Sequence, residues 1–264
     1  MNIGGRTALV TGATGGLGQA IARALARRGA SLVLTGRRAE VLEPLADELR
    51  GRAIIADLGD REEMQRLVAE AGAIDVLVAN AGVPASGLIR SLPPEEIDAA
   101  LDVDLRAPIL LARLVADGMA ARGGGHIVFV NSTSGKSGTV GQSIYCAAKF
   151  GLRGFAQGLR EDLRHDAIGV SSVFPSFIRD AGMFHESGAR LPAYVGTRTP
   201  DDVADAVVRA IEHNRAEIDV APLFIRLGSA FQGLAPELAA RVQRRLGADK
   251  IAERVIAGQR GESR

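Results

Sequence analysis

Short apolar runs rich in β-branched residues alternate along the chain with longer stretches in which apolar residues recur at helical spacing. The runs predict strands at Ala8–Thr11, Ser31–Thr35, Ala53–Ala56, Val76–Ala79, His126–Asn131, Val170–Phe174 and Glu217–Val220. The longer stretches predict helices over residues 16–29, 38–50, 61–71, 95–121, 142–166 and 200–214. Strands that alternate with helices of this length form βαβ units. We therefore expect one doubly wound α/β domain over residues 1–222, with a parallel sheet of about seven strands and helices on both faces.

Two segments depart from this alternation. Residues 175–199 have no clear period, and a loop of about 25 residues in a compact domain is usually a lid or a substrate loop. In residues 223–264, Leu234, Leu238, Val242 and Leu246 recur at i+4, and eight Arg and Lys face four Asp and Glu. This basic amphipathic helical tail has two interpretations: it packs on its own domain, or it contacts a partner subunit or a membrane surface.

Composition narrows the class of protein. The 264 residues are 47% hydrophobic and 24% charged, which excludes a disordered chain, and a net charge of +1 argues against nucleic-acid binding. One cysteine excludes an internal disulfide, and no apolar run approaches the ~20 residues of a membrane span. The start of the chain lacks a signal-peptide pattern, so we predict a cytoplasmic protein. No metal site is expected, because the histidines are dispersed at His126, His165, His185 and His213.

A glycine-rich segment, Thr11–Gly18, follows the first predicted strand and begins the first helix. Glycine permits tight turns and close approach of a ligand to the backbone, and a helix N-terminus offers free N–H groups to a pyrophosphate. The strand–turn–helix context favours a dinucleotide site over a turn whose glycines serve packing alone. Its candidate cofactor-binding residues are Gly12, Thr14, Gly16, Leu17 and Gly18.

The end of the second strand bears on the choice of cofactor. NAD-binding folds place an acid there for the ribose 2′-OH, whereas this chain has Arg37 and Arg38. An arginine makes a forked, charge-assisted contact to a 2′-phosphate, so NADP(H) is preferred and NAD(H) is the second choice. The alternative is a solvated arginine pair that starts the next helix. Asp57 and Leu58 are candidates for the adenine edge, although Asp57 also fits a helix cap.

A candidate catalytic set lies downstream. Tyr145 and Lys149 are four residues apart in a helical stretch and therefore share a face, and Ser132 ends the preceding strand. A phenol ionises too weakly for proton exchange near neutrality, and a neighbouring ammonium favours its phenolate. A serine hydroxyl beside it can polarise a carbonyl oxygen. A tyrosine–lysine pair alone is usually ordinary helix surface, but its position after a nucleotide loop favours catalysis.

Over roughly residues 5–222 the sequence resembles the short-chain dehydrogenase/reductase family. The resemblance rests on Thr11–Gly18, Asn80-Ala81-Gly82, Ser132 and Tyr145-Cys146-Ala147-Ala148-Lys149, in this order and spacing. It implies a Rossmann-like fold in which Asn80, Ala81 and Gly82 support the sheet beside the cofactor. It also implies that Ser132 orients the substrate carbonyl, Tyr145 is the acid/base, and Lys149 binds the nicotinamide ribose and lowers the tyrosine pKa.

Three positions depart from the family pattern. Asp104 stands where many members have an asparagine that supports a proton relay to the lysine, so it is a doubtful catalytic residue. Ser176 replaces the glycine that follows Pro175, and Asp180 replaces a threonine that often contacts the cofactor. The Ile178 backbone remains a candidate contact for the carboxamide. Cys146 has no base near it in sequence, which favours a small packing residue over a nucleophile.

The candidate substrate residues lie in two segments, and together they are mainly apolar: Ser134, Val140, Gln142, Phe177, Phe184 and Tyr194. We predict an NADP(H)-dependent oxidoreductase that interconverts a carbonyl and a secondary alcohol on a hydrophobic small molecule. The alternatives are a cofactor-binding sensor or scaffold with little turnover, and a reductase held at a membrane surface by its tail. The resemblance also implies a homotetramer or homodimer formed through helices 95–121 and 142–166.

Overall fold

Seven parallel strands form one sheet in the order β3-β2-β1-β4-β5-β6-β7, which confirms the predicted doubly wound fold. The computed structural model describes residues 1–189, 191, 195–245 and 247–260, with the backbone alone at 243 and 248–251. The strands are β1 Thr7–Thr11, β2 Ser31–Gly36, β3 Arg52–Ile55, β4 Val76–Ala79, β5 Gly125–Val130, β6 Ile168–Pro175 and β7 Glu217–Val220. The helices around the sheet are α1 Gly16–Arg27, α2 Ala39–Glu48, α3 Arg61–Ala71, α4 Pro94–Leu101, α5 Ala107–Ala121, α6 Ser143–Asp162, α7 Gly182–Glu186 and α8 Pro200–His213.

Alternation along each strand divides the core into two layers. On β1, Leu9 pairs with Val33 of β2 and Leu77 of β4 and joins the core layer that includes residues of α3, α5 and α6. Its neighbours Ala8 and Val10 belong to the other layer, which includes residues of α1, α2 and α8. Successive strand side chains point to opposite faces, so a sheet covered on both sides needs apolar residues at every position. This explains why the strands read as unbroken apolar runs.

The predicted helix over 95–121 is interrupted by a π-helical turn. Helix α4 ends at Leu101, Asp102–Arg106 forms the π turn, and α5 begins at Ala107. Such turns insert an extra residue into a helix and often occur at functional sites. Here the turn contains Asp104, whose side chain is fully buried.

The substrate loop and the tail have more regular structure than the sequence predicts. The short helix α7 lies within 175–199, and Ile178 forms an isolated bridge with Arg198. The tail forms α9 Leu223–Leu234, α10 Pro236–Arg245 and α11 Ala248–Gln259. Leu234, Leu238 and Val242 of the predicted apolar stripe are exposed, and Leu246 lies outside the described residues.

Smaller side chains bury the tail against the rest of the chain instead. Ser229, Ala239, Ala252 and Val255 are the buried residues described there. The period of the stripe therefore predicts the helices of the tail but not the side by which they attach. Within the part of the chain that the structure covers, no helix is long and apolar enough to span a bilayer.

Candidate active site

A cavity of about 970 Å³ lies at the carboxyl ends of the strands, where the strand order reverses between β1 and β4. This edge is the usual ligand site of an open parallel sheet, because the loops after β1 and β4 diverge to opposite faces there. One end of the cavity is lined by the glycine loop, and Ser132, Tyr145 and Lys149 lie further along it. Apolar side chains of residues 175–199 and of the tail also line it.

The glycine loop packs closely against the segment that follows β4. Gly12 has φ +62°, and a Cβ there would lie 2.8 Å from the Ala81 Cα. The Asn80 side chain fixes this turn by donating to the carbonyl oxygens of Thr11 and Gly12, at 3.0 and 3.2 Å. Helix α1 has Gly15 at its N-cap and no side-chain cap, so its first N–H groups remain available to an anion.

The two arginines that follow β2 lie at the same cavity as the glycine loop. Arg37, Arg38, Asp57 and Leu58 all line the cavity. Arg38 donates to the Thr14 carbonyl oxygen at 2.8 Å, and therefore supports the glycine loop. The Arg37 side chain is 68% exposed and lies 3.9 Å from Asp57, a distance too long for a strong pair. Arg37 thus keeps donors free for a phosphate at the cavity edge.

Two further hydroxyls support a polar ligand. Thr35 and Ser176 line the cavity, and in the described chain neither of their buried side-chain oxygens has a hydrogen-bond partner. A buried hydroxyl without a partner is unfavourable, so a bound molecule that supplies one gains affinity. Together with the uncapped helix, this donor and acceptor set fits a dinucleotide.

Helix α6 brings the candidate acid/base pair to the cavity. Tyr145 and Lys149 both line it, and the Lys149 Nζ lies 5.4 Å from the centre of the Tyr145 ring. Ser132 begins a turn after β5, where its Oγ accepts from the Ser134 N–H at 3.1 Å. Asn131 ties that turn to α6 by donating to the Lys149 carbonyl oxygen at 3.1 Å. The serine and the tyrosine are thereby held by one connected frame.

Burial raises the pKa of the Tyr145 phenol above its ordinary value. The Lys149 ammonium and a hydrogen bond with Ser132 act in the opposite direction, whereas Asp104 adds to the increase. Lys149 thus acts on the tyrosine pKa in the expected direction, but the effect of burial is larger. A further positive charge in the cavity is needed to bring the phenol into range.

Asp104 lies next to Lys149 rather than in the cavity lining. Its Oδ1 is 3.1 Å from the Lys149 Nζ, and its Oδ2 accepts from the Val83 N–H at 3.4 Å. Gly82 makes room for it, because a Cβ there would lie 2.6 Å from Oδ1. Burial is the largest influence on the pKa of Lys149 and lowers it, but the charge and hydrogen bond of Asp104, together with Tyr145, leave that pKa raised. The lysine is therefore held as an ammonium ion.

Most other predicted site residues reach the cavity. These are Gly12, Thr14, Gly16, Leu17, Asn80, Ala81, Gly82, Ser134, Gln142, Pro175, Phe177, Ile178 and Phe184. Gly18 is instead packed beneath the loop, since a Cβ there would lie 2.2 Å from the Gly12 oxygen. Val140 is 45% exposed and does not line the cavity, because the chain turns outward after Thr139. Tyr194 lies outside the described residues.

The surroundings of Asp180 and Cys146 argue against a direct role of either side chain in the chemistry of the site. Asp180 has φ +70°, is largely exposed and pairs with Arg179 at 3.4 Å, so its charge points away from the cavity. Cys146 donates to the Ser137 carbonyl oxygen, and burial raises the pKa of its thiol, which disfavours a nucleophilic thiolate. No group of three or more His, Cys, Asp or Glu suited to a metal is found among the described residues.

The tail contributes site residues that sequence reasoning did not place there. Phe224, Leu227 and Phe231 of α9, with Val242 of α10 and Val255 of α11, line the apolar end. Ser86 and Gln259 are hydrogen-bonded to each other, and Arg260 donates to the Ser86 carbonyl oxygen at 2.8 Å, which fastens the end of α11 near the cavity. The spacing of Phe224, Leu227 and Phe231 predicts an amphipathic helix, but it does not predict which part of the protein the apolar side of this helix contacts.

Comparison with known proteins identifies the family of this chain. Residues 6–191 match the family model described as short chain dehydrogenase. The chain belongs to the short chain dehydrogenase family. A solved structure described as a short chain dehydrogenase/reductase family protein is 30% identical, with a TM-score of 0.76, over 83% of this chain and 97% of that one.

Curated members of the family include reductases of ketoacyl compounds. The ketoacyl reductase HetN of Nostoc sp. is 35% identical over 225 residues, which are 82% of this chain and 78% of that protein. The 3-oxoacyl-[acyl-carrier-protein] reductase FabG of Rickettsia conorii is 35% identical over 181 residues, covering 68% of this chain and 75% of that protein.

Proposed function

We propose that the protein is an NADP(H)-dependent oxidoreductase that interconverts a ketone and a secondary alcohol on a hydrophobic small molecule. One observation carries the proposal: Ser132, Tyr145 and Lys149 line the same cavity as the glycine loop and a set of apolar side chains. The ketoacyl reductases among its relatives support a ketone as the reacting group.

In this mechanism the side chains hold the substrate oxygen and exchange its proton. Ser132 donates to the carbonyl oxygen, and Tyr145 gives its phenolic proton to that oxygen on reduction or takes it on oxidation. Lys149, held as an ammonium by Asp104, favours the phenolate. When bound, NADP(H) supplies or accepts a hydride, and its oxidised form adds positive charge near the phenol.

The test of this mechanism is Tyr145→Phe, assayed by NADPH oxidation with a panel of apolar ketones. We expect a loss of about a hundredfold to ten-thousandfold in kcat, since a positioned acid contributes that much. NADPH affinity is expected to remain unchanged, because the phenyl ring still fills the same space. Near-normal turnover by the variant would refute the role of Tyr145.

The proposed preference for NADP(H) rests on Arg37, whose guanidinium stands at the cavity edge, 68% exposed and 3.9 Å from Asp57. Calorimetric titration with NADPH and NADH separately is expected to show tighter binding of NADPH. Arg37→Asp should remove this preference, because a carboxylate repels the 2′-phosphate. Arg38→Gln is the matched control: it removes the neighbouring charge, which here supports the Thr14 carbonyl. An unchanged preference in Arg37→Asp would contradict the argument.

The second candidate is a cofactor-binding sensor or scaffold with little turnover, and Asp104 is the feature that favours it. A carboxylate beside Lys149 raises the pKa of Tyr145 and so works against phenolate formation. Binding of NADPH without turnover on any ketone of the panel would favour the sensor. Turnover that disappears in Tyr145→Phe would favour the reductase.

We also propose a homo-oligomer assembled through α5 and α6, as is usual in the family. Leu114 of α5 and Phe150 of α6 are large apolar side chains exposed to 37% and 45% in the single chain. Burying both against a second copy removes this apolar area from water. Light scattering is expected to give at least a dimer for the wild type and a smaller species for Phe150→Glu.

A further inference from the structure

An exposed apolar surface lies on the outside of the tail, formed by Leu223, Leu227, Leu234, Leu238 and Val242. We call these five residues the tail surface; their exposed fractions range from 42% for Val242 to 86% for Leu234. Leu223, Leu227 and Leu234 recur along one side of α9, and Leu238 and Val242 along one side of α10. Helices α9 and α10 follow each other directly in the chain and pack against each other, so both stripes belong to one helical unit. Contiguous apolar exposure of this kind marks an interaction site.

Positive charge borders the tail surface. Arg241, Arg244 and Arg245 of α10 are exposed, and Arg241 and Arg245 each follow a stripe residue by three positions. Residues 223–264 carry eight basic and four acidic side chains, whereas the rest of the chain has a net negative charge. The basic character is therefore concentrated in the tail. Apolar residues flanked by arginines on a helix are typical of segments that lie in the headgroup region of an anionic bilayer.

The same helices border the cavity. Leu227 and Val242 belong to the tail surface and also line the cavity, as do the half-exposed Phe224 and Phe231. A side chain that is both exposed and in the lining stands at an opening. The apolar end of the cavity thus opens beside the tail surface, where a molecule dissolved in lipid would enter without crossing water.

A second copy of the chain fits the tail surface less well. A two-fold interface places the same patch of both subunits together, which would add the positive charge of one tail to that of the other. Like charges that are brought together in this way repel, and an anionic lipid surface neutralises them instead. A bound copy would also cover the opening of the cavity. Charge and access therefore both favour a membrane.

We infer that the tail surface docks the protein on anionic membranes, with α9 and α10 lying in the headgroup region. The opening of the cavity then faces the lipid, and the substrate is a lipophilic ketone or alcohol taken from the bilayer. This last point rests on the proposed reductase function, whereas the docking itself does not.

The test is co-sedimentation of the full chain with vesicles of phosphatidylglycerol and phosphatidylcholine in equal parts, in about 50 mM salt. We expect binding that weakens on vesicles of phosphatidylcholine alone and at high salt. Arg244→Gln with Arg245→Gln should weaken the partition coefficient about twenty-five-fold, since each cation near such a surface contributes about fivefold. Leu234→Glu should weaken it at least tenfold, because it removes an inserted side chain and adds a repelled charge.

The matched control is Arg27→Gln with Arg61→Gln, which makes the same change in net charge on exposed residues outside the tail and outside α5 and α6. This variant should bind vesicles as the wild type does. Equal binding by the tail variant and this control would overturn the inference, and so would an absence of binding to anionic vesicles. Light scattering of Leu234→Glu distinguishes a second occupant. If the wild type does not bind vesicles and Leu234→Glu forms a smaller oligomer than the wild type, the tail surface belongs to an interface with a second copy of the chain.

Turnover separates this inference from the proposed function. With a water-soluble ketone and no vesicles, Arg244→Gln with Arg245→Gln should retain the wild-type rate, because neither residue lines the cavity. Vesicle binding by a protein that turns over no ketone would refute the reductase and leave the docking supported. Turnover without vesicle binding would support the reductase and refute the docking.

Discussion

Replacing Asp104 with asparagine is expected to move the pH dependence of catalysis toward acid. The buried carboxylate lies 3.1 Å from Lys149 Nζ, which itself lies 5.4 Å from the centre of the Tyr145 ring. Its negative charge raises the pKa of the phenol, so that its removal makes phenolate formation easier as long as Lys149 keeps its proton. A unit charge at roughly 8 Å contributes about 2 kcal/mol at an effective dielectric constant of about 20. This corresponds to a displacement of roughly one to two pH units.

The assay is kcat/KM for alcohol oxidation between pH 5 and 10, because oxidation requires the phenolate. The rising limb of the profile should shift to lower pH in Asp104→Asn, and the falling limb of ketone reduction should shift with it. Asp102→Asn is the control: Asp102 belongs to the same π turn but is exposed and pairs with Arg106. A limb that stays in place in Asp104→Asn, or that shifts equally in the control, would refute the electrostatic argument.

Stability gives a second measure of the same pair. Asp104→Ala leaves the Lys149 ammonium buried without its counter-ion and should lower the free energy of unfolding by about 3–5 kcal/mol. Asp104→Asn should cost less, because its amide oxygen still accepts from Lys149, although the amide nitrogen then faces the Val83 N–H. Urea denaturation of both variants measures the difference; equal losses would mean that the amide retains none of the stabilising contacts of the Asp104 carboxylate.

Three further predictions concern the frame around the site. Burial foremost lowers the pKa of His126 to about 3, so protonation favours the unfolded chain, and between pH 7.5 and 5 His126 should cost about 2 kcal/mol of stability. In urea denaturation, His126→Gln should not show this loss of stability. A difference in unfolding free energy between His126→Gln and the wild type that stays constant from pH 7.5 to 5 would contradict the prediction. Lys136 contacts Glu217 at 3.0 Å and Asp219 at 2.6 Å, so Lys136→Met should lower the free energy of unfolding by about 1–3 kcal/mol, measured by the same method. Gly18→Ala should lower the melting temperature and weaken NADPH binding in calorimetry, since its Cβ would lie 2.2 Å from the Gly12 oxygen.

Local signals in the sequence were sufficient for the sheet and its cofactor end. The bounds predicted for β4 and β7 match those observed, and the others differ by no more than two residues at either end. Apolar runs, glycine positions and the i,i+4 pair on α6 are local properties, and one regular fold brings the ends of its parallel strands to the same edge. Gly12, Arg37, Ser132 and Tyr145 could therefore be assigned to one cavity before any coordinates.

The tertiary structure decided what depends on contacts between distant segments. The π turn at Asp102–Arg106 lies within a continuous helical pattern, and the pairing of Asp104 with Lys149 joins residues far apart in sequence. The tail shows the same limit. Its periodicity predicts helices, but which side is buried depends on the shape of the surface that receives them. Only packing revealed that the small residues attach the tail, while Leu234 and its neighbours remain exposed beside the opening of the cavity.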